Sequence, residues 1–369
     1  MSILIKGINS SSGGGSSKGY PPGNVTDVEI KGLYKKVVIK WTEPNAIVLG
    51  GKTLVDWKST VIVRKEGSAP TSIKDGVTIL TNTTKNKYKD IYYEDQLSIK
   101  ETTYYYRFFV LSADDTTNND SGMIYTANPI TNVDPVLKNN TWENITKVSE
   151  SGSAPNIWKV GDEIDVNFTK TSDMPAQTLT FQIWDFNHFD KSDGSGKAGI
   201  CFGMKDLMLN SVRFYYSNYC STGYSGSSAA YTFEEFYKQC LEEVKPYIKL
   251  VTVYHSSKTV DENESSSVIG LGYSLDVHLC VPGYTEVFGP NERPEITETE
   301  QGQKQFPIFT DNNSRIKKIV YNSNNASSYA LRTVGNASIM YQVSESGTPG
   351  ASIISSDGTY GYACLLFNI

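Results

Sequence analysis

The side chains able to do acid, base or nucleophilic chemistry are sparse in this sequence. Histidine occurs only at His188, His255 and His278. His188 sits in Asp185-x-x-His188-x-Asp190, with Asp193 close behind. Oxygen and imidazole ligands at that spacing suit a divalent cation. The competing reading is that Asp and Asn cap a turn there, and metal-assisted hydrolysis would also need an open coordination position and a base. The expectation is therefore no metal and no cofactor. His278 and Cys280 are two residues apart, which on a strand places them on one face. A nucleophile pair is conceivable, but the apolar alternation through residues 275–281 points to packed core. Glu295, Glu298 and Glu300 read as a solvated charged loop. There is no GxSxG, no HExxH and no Walker glycine loop. No catalytic residue is assigned, and the chain is expected not to be an enzyme.

Aromatic loops are the better lead. Tyr215, Tyr216, Tyr219 and Tyr224 lie in a stretch rich in Ser and Gly. Tyrosine supplies contact area at low entropic cost, and Ser and Gly supply adaptable polar groups. These four residues are the expected binding residues, with packing on the core as the alternative. Glu43-Pro44-Asn45 spells a tripeptide used in calcium-dependent sugar sites, but it follows the tryptophan of a strand and no WND triplet accompanies it.

The elements that would position these groups are mostly strands. Residues 178–208 begin with period-two alternation at Leu179, Phe181 and Ile183, pass through an Asp/Gly/Ser turn at 190–196, and return to alternation at Ala198, Ile200 and Phe202. That pattern predicts a β-hairpin with a polar tip. Residues 231–245 predict a helix: Phe233, Phe236, Tyr237, Cys240, Leu241 and Val244 form one apolar face, Thr232 and Glu235 a capping box, and Pro246 the stop.

Residues 21–129 read as seven short strands, at 25–30, 36–41, 60–65, 77–80, 87–92, 103–112 and 123–127, which predicts a β-sandwich. Val37-x-Ile39-x-Trp41-x-x-Pro44 and Thr102-x-Tyr104-x-Tyr106-x-Phe108-x-Val110 resemble fibronectin type III strands. The resemblance implies Trp41 in the core and Tyr104 as the tyrosine-corner residue. Before it, residues 1–20 combine an apolar-alternating piece with a Ser/Gly tether, read as a flexible attachment arm. Residues 130–156, with their prolines and asparagines, read as a linker with some structure. Residues 157–369 form the terminal domain.

That domain resembles the DUF6273 family, found in proteins of phages and prophages. The resemblance rests on residues 186–207 (FNHFDKSDGSGKAGICFGMKDL), 274–289 (SLDVHLCVPGYTEVFG), 301–309 (QGQKQFPIF), Arg315–Lys317, 329–333 (YALRT) and 361–369, in that order, and spans about 160–369. Residues 220–230 lack the Trp and Arg that many members carry before the helix. The ending is similar, more weakly, to C-type-lectin-like folds. The fold expected is mainly β with α+β: a fibronectin type III-like sandwich followed by a mixed α+β domain, for which the resemblance of the ending implies a C-type-lectin-like form.

Bulk composition adds bounds. A net charge of −6 without long runs, and no basic stripe, argue against nucleic acid. No apolar run is long enough to span a membrane. The five cysteines, Cys201, Cys220, Cys240, Cys280 and Cys364, include no CxxC pair and predict reduced thiols. From modular order and resemblance, the expected role is that of a non-enzymatic virion protein of a tail, baseplate or fibre, made in the host cytoplasm. It would be present in several copies, bind other virion proteins through its arm, and display a domain toward a bacterial cell-surface glycan. The alternatives are a capsid-surface decoration protein, or a cell-envelope hydrolase acting through carboxylates of the terminal domain.

Overall fold

The computed structural model describes residues 19–96, 100, 102–118, 123–170, 175–215, 223–256, 272–301, 303–320, 322–335, 339–353 and 359–369. The chain divides into two compact units, Met1–Thr131 and Asn132–Ile369. Strands in several small sheets predominate over helix. The arm expected at 1–20 lies outside the described residues except for its last two.

In the first unit, β1 (Thr26–Leu33), β2 (Lys36–Thr42), β3 (Ile47–Leu49), β4 (Lys52–Val55), β5 (Trp57–Glu66), β6 (Val77–Asn82), β7 (Tyr93–Gln96), β8 (Tyr104–Ser112) and β9 (Ile124–Ala127) follow one another. They form sheets of order β1-β2-β7 and β6-β5-β8-β9, plus the separate hairpin β3-β4. The period-two pattern decides what is inside. Val37, Ile39 and Trp41 of β2 meet Ile62 of β5 and Tyr106, Phe108 and Val110 of β8 in one core. Trp41 stacks on Tyr88 at 4.8 Å and meets Phe108 edge-on at 5.6 Å. The strand expected at 87–92 is a run of turns; pairing with β2 begins only at Tyr93. Tyr88 fills the core from that turn instead. Tyr104 is buried, but the buried phenol hydrogen bond given by the structure belongs to Tyr106, whose hydroxyl donates to Asp95 Oδ2 at 2.9 Å. Glu43 of the sugar-site tripeptide is buried. It accepts from Trp41 Nε1 at 2.8 Å and from Asn82 Nδ2 at 2.5 Å, so it anchors a turn.

The second unit begins inside the stretch expected to be a linker. Residues 142–150 form α1 (Trp142–Glu150), capped by the Thr141 hydroxyl, which accepts from Asn144 N at 3.3 Å. Trp142 packs edge-on against Phe202 and Phe367, and Ser149 Oγ donates to the Ile369 carbonyl. The segment is part of this unit's core because its apolar face, Trp142, Ile145 and Val148, has nowhere else to be buried. The main sheet runs β10 (Glu163–Phe168), β11 (Gln177–Phe186), β13 (Ile200–Met204) and β23 (Leu366–Asn368). Between β11 and β13 comes β12 (Asp190–Lys191). The expected hairpin is thus present, with Phe181 opposite Met204 and a bulge between Ile183 and Asp185. The bulge breaks the alternation, so that Trp184 and Asp185, which period two would place on opposite faces, are both buried.

The remaining elements are β14 (Val212–Tyr215), α2 (Ser228–Cys240), β15 (Val251–Ser256), β16 (Gly272–Val277), α3 (Tyr284–Phe288), α4 (Pro294–Thr299), α5 (Asn312–Arg315), β17 (Lys318–Ile319), β18 (Asn322–Ala326), β19 (Tyr329–Val334), β20 (Ile339–Val343), β21 (Pro349–Ile353) and β22 (Thr359–Gly361). They pair as β12-β15-β16, β14-β22, β17-β18 and β19-β20-β21. Helix α2 starts and stops earlier than the sequence pattern predicts. Its cap is Ser227, which accepts from Ala230 N at 3.1 Å, rather than Thr232. Leu241 and Val244 continue the apolar face beyond the helix end and are buried in a turn.

Candidate functional site

The charged groups of the second unit converge inside it. Glu286 comes from α3, Glu300 from the residue ending α4, Arg332 from β19, and Asp185 and His188 from β11 and the turn after it, where Asn187 takes φ 55°. Glu286, Glu300 and Arg332 have no exposed surface, and Asp185 and His188 are buried. Arg332 donates from Nη1 to Glu286 Oε2 at 2.8 Å and from Nη2 to Oε1 of the same carboxylate. Its remaining reach goes to backbone, from Nε to the Tyr254 carbonyl at 2.8 Å and from Nη1 to that of Val281 at 3.0 Å. Glu286 Oε2 also accepts from Gly283 N at 3.0 Å. Glu300 accepts from the Tyr284 and Thr285 amides at 3.2 and 2.9 Å and from the Thr333 hydroxyl. Those amides open α3, where a carboxylate complements the unpaired N–H groups of the first turn.

His188 stands between two acids. Its Nδ1 lies 2.8 Å from Asp185 Oδ2, and its Nε2 is 3.8 Å from Glu286 Oε1, beyond hydrogen-bond length. The ring stacks on Phe306 at 4.0 Å. Lys304 Nζ closes the chain at Asp185 Oδ2, 2.7 Å away, with most of its own side chain in solvent. Burial pushes the Glu286 carboxyl up, but the Arg332 charge and the neighbouring His188 outweigh it and hold Glu286 at about 2. Asp185 is treated alike: burial is overcome by His188, Lys304 and the Phe186 amide, so its carboxyl lies below the usual range. Glu300 goes the other way, raised because burial exceeds what Arg332 returns. Beside this centre, buried Lys317 donates to the Met204 carbonyl at 2.8 Å, and its ammonium lies 5.1 Å from the Trp184 ring. Burial lowers its pKa.

The centre meets solvent at its Asp185–Lys304 edge, and Glu286, Glu300 and Arg332 lie behind it with no exposed surface. Its hydrogen bonds tie α3, the end of α4, β11, β15 and β19 together, and His188 Nε2 is the one buried polar atom among these side chains with no partner among the described residues.

The sequence-predicted candidates divide in the structure. Asp185 and His188 meet, whereas Asp190 pairs with Lys197 at 2.9 Å on the surface and Asp193 caps its own turn through Ser195 N at 2.8 Å. Among the described residues no group of three His, Cys, Asp or Glu is placed to hold a metal. His278 and Cys280 are separated, because β16 ends at Val277 and the shared face ends with it. His278 stacks on Tyr237 at 3.8 Å with Nδ1 3.1 Å from Glu234 Oε2, while Cys280 is buried beside Leu366. Glu300, expected in a solvated loop, is buried. Of the four tyrosines expected to bind, Tyr215 and Tyr224 are buried, so their rings are core. Tyr215 follows Phe214 on β14, and Tyr224 meets His255 edge-on at 6.1 Å. Tyr216 and Tyr219 lie outside the described residues. At the foot of that segment Tyr360 of β22 pairs with Arg213 of β14. Its ring is 56% exposed, with the guanidinium 4.9 Å from the ring centre.

Glu286, Arg332 and Lys317 escaped the sequence reading as a set. The available signal was a charge set within an apolar run, as in Tyr-Thr-Glu286-Val-Phe and Ala-Leu-Arg332-Thr-Val, since such charges are rarely buried unless paired.

Residues 201–362 match the family model described as "Domain of unknown function (DUF6273)". The match starts at Cys201, later than the expected onset near residue 160, so β10 and β11 lie outside it. It contains Glu286, Glu300, Arg332 and Lys317 but not Asp185 or His188. No curated protein matches the chain. Among solved structures, a family 76 glycoside hydrolase from a bovine Bacteroides thetaiotaomicron strain aligns at 13% identity over 42% of this chain and 26% of its own, with a TM-score of 0.23. The chain thus spans about a quarter of that protein, and a likeness so slight bears on neither fold nor activity.

Proposed function

We propose that this is a non-enzymatic virion component, of tail or baseplate type, in which the first unit is a spacer and the second presents a surface that binds bacterial cell-surface glycan. The sheet orders β1-β2-β7 and β6-β5-β8-β9 around Trp41 support a fibronectin type III-like reading of the spacer. The observation carrying the functional reading is the contrast within the second unit. Its convergent acid and base groups are buried and paired with one another through Arg332–Glu286 and His188–Asp185, while an aromatic ring backed by a cation, Tyr360 with Arg213, stays open at the foot of the segment that holds Tyr216 and Tyr219. An exposed ring suits the apolar face of a sugar, and the guanidinium its hydroxyls or acidic substituents. Contacts of this kind are individually weak, on the order of millimolar, and gain strength by multivalent display.

The test is binding of the full chain, displayed in many copies on beads, to an array of bacterial wall glycans. Tyr360→Ala and the pair Tyr216→Ala/Tyr219→Ala should each reduce retention at least tenfold with the fold intact. Unchanged retention would reject this face. Turnover of any arrayed glycan, lost in Glu286→Gln, would reject the non-enzymatic reading.

A further inference from the structure

In the first unit the hairpin β3-β4 is unlike every other strand pair around it. It turns through Gly50 and Gly51, with φ of 58° and 79°, the two left-handed residues of a type I′ turn. Its pairing is internal: Ile47 with Val55, Val48 with Thr53, Leu49 with Lys52. It joins neither sheet of the unit. Alternation should hide every second side chain of a strand, yet the three consecutive residues Ile47, Val48 and Leu49 are 39, 55 and 62% exposed, and Leu54 opposite is 41% exposed. Both faces of the hairpin therefore carry exposed apolar side chains, and of its strand residues only Val55 at the foot is buried. Its outer edges pair with no other strand among the described residues. A bare apolar edge of this kind templates pairing with another strand, and charge or proline is the usual protection. β3 has neither.

We infer that the edge of this hairpin is occupied by the chain's own N-terminal segment, Ser2–Ile8, added as a third strand. The sequence Ser-Ile-Leu-Ile-Lys-Gly-Ile supplies alternating β-branched residues and no proline. Its tether starts in the right place. Gly19 lies against Asp114, so closely that a Cβ there would come within 1.7 Å of that carboxylate. The same turn is bound to the beginning of β5, with Trp57 opposite Ser112 and Lys58 Nζ 2.6 Å from Asp115. β5 begins two residues after β4 ends, so the tether leaves from the hairpin's foot. The nine residues 10–18 reach about 30 Å when extended, and a four-residue strand rises only about 13 Å. A tether of this length presents its end at an effective concentration on the order of millimolar, so the chain's own segment outcompetes one from a dilute neighbour.

The inference is independent of the proposed function. Its test is hydrogen exchange by mass spectrometry on the full chain, on a variant lacking residues 1–9, and on Ile5→Pro, which removes one edge donor. Exchange in peptides covering 47–55 should be at least tenfold slower in the full chain than in either variant, at all protein concentrations, with residues 2–8 protected alongside. Equal exchange in all three chains would overturn the inference. Protection that disappears on dilution would also overturn it, since the occupant would then be a second copy.

Discussion

Replacing Arg332 by Met tests the charged centre where it is most exposed to failure. The substitution keeps much of the volume but removes the guanidinium. Glu286 then loses two hydrogen bonds and its counter-charge, while the Tyr254 and Val281 carbonyls lose their donors. Stripping one partner from a buried ion pair costs about 3–5 kcal/mol, because the other charge remains enclosed. At about 2–4 °C per kcal/mol for a unit of this size, the melting temperature of the second unit should fall by roughly 6–20 °C. Substituting both partners, Glu286→Met with Arg332→Met, leaves the Tyr254 and Val281 carbonyls and the Gly283 amide unpaired but no buried charge, and should cost less than the two single changes together, by about 2 kcal/mol or more. Calorimetry of the full chain reads this as a fall in the melting temperature relative to the parent chain. A loss below about 1 kcal/mol for Arg332→Met, or strict additivity in the pair, would refute the reasoning.

Three further outcomes follow from the same geometry. Burial pushes the Cys280 thiol up to about 12 and that of Cys364 to about 11, and Cys201 well above its ordinary value; none of the three should react with a thiol reagent at pH 8 until the second unit unfolds, as peptide mass spectrometry would read. Glu286, held at about 2 against an ordinary 4.5, gives stability that is whole above pH 4.5 and is lost as pH falls toward 2; Glu300, raised, loses its burial penalty on acidification. Urea midpoints should therefore stay level or rise slightly from pH 7 to 5 and drop below about 4.5, unless Glu286 is already Met. Gly203 lies between β11 and β23 with the Trp184 ring 2.1 Å from where a Cβ would be; Gly203→Ala should destabilise the unit by about 1–3 kcal/mol or more in urea unfolding.

Much of the strand pattern is readable from the sequence because period two and turn residues are local. The hairpin of β11 and β13 follows from Leu179, Phe181 and Ile183, and the core of the first unit from Val37, Ile39 and Trp41. The errors have specific causes. A bulge at Ile183–Asp185 carried Trp184 inward, which no periodicity can anticipate. Ser227 caps the helix in place of Thr232, with the buried Ala229 extending the apolar face ahead of the predicted start. The β3-β4 hairpin was passed over since its strands are short and uncovered, despite the Gly-Gly turn. Tyr215 and Tyr224 read as loop aromatics, yet their burial depends on partners distant in sequence, such as His255. The polar centre was least legible. Glu286, Glu300 and Arg332 each look like surface charge in isolation, and only the fold brings them within hydrogen-bond reach.

The central claim is that the charged centre holds the second unit together while binding occurs at the Tyr360 face. The most direct measurement is glycan-array retention of bead-displayed full chain carrying Glu286→Met/Arg332→Met, beside a Tyr360→Ala sample, both verified as folded by circular dichroism at a temperature below their transitions. The account predicts retention within twofold of the parent chain for the double variant and at least a tenfold loss for Tyr360→Ala. Loss of retention in the folded double variant, with Tyr360→Ala unaffected, would contradict it.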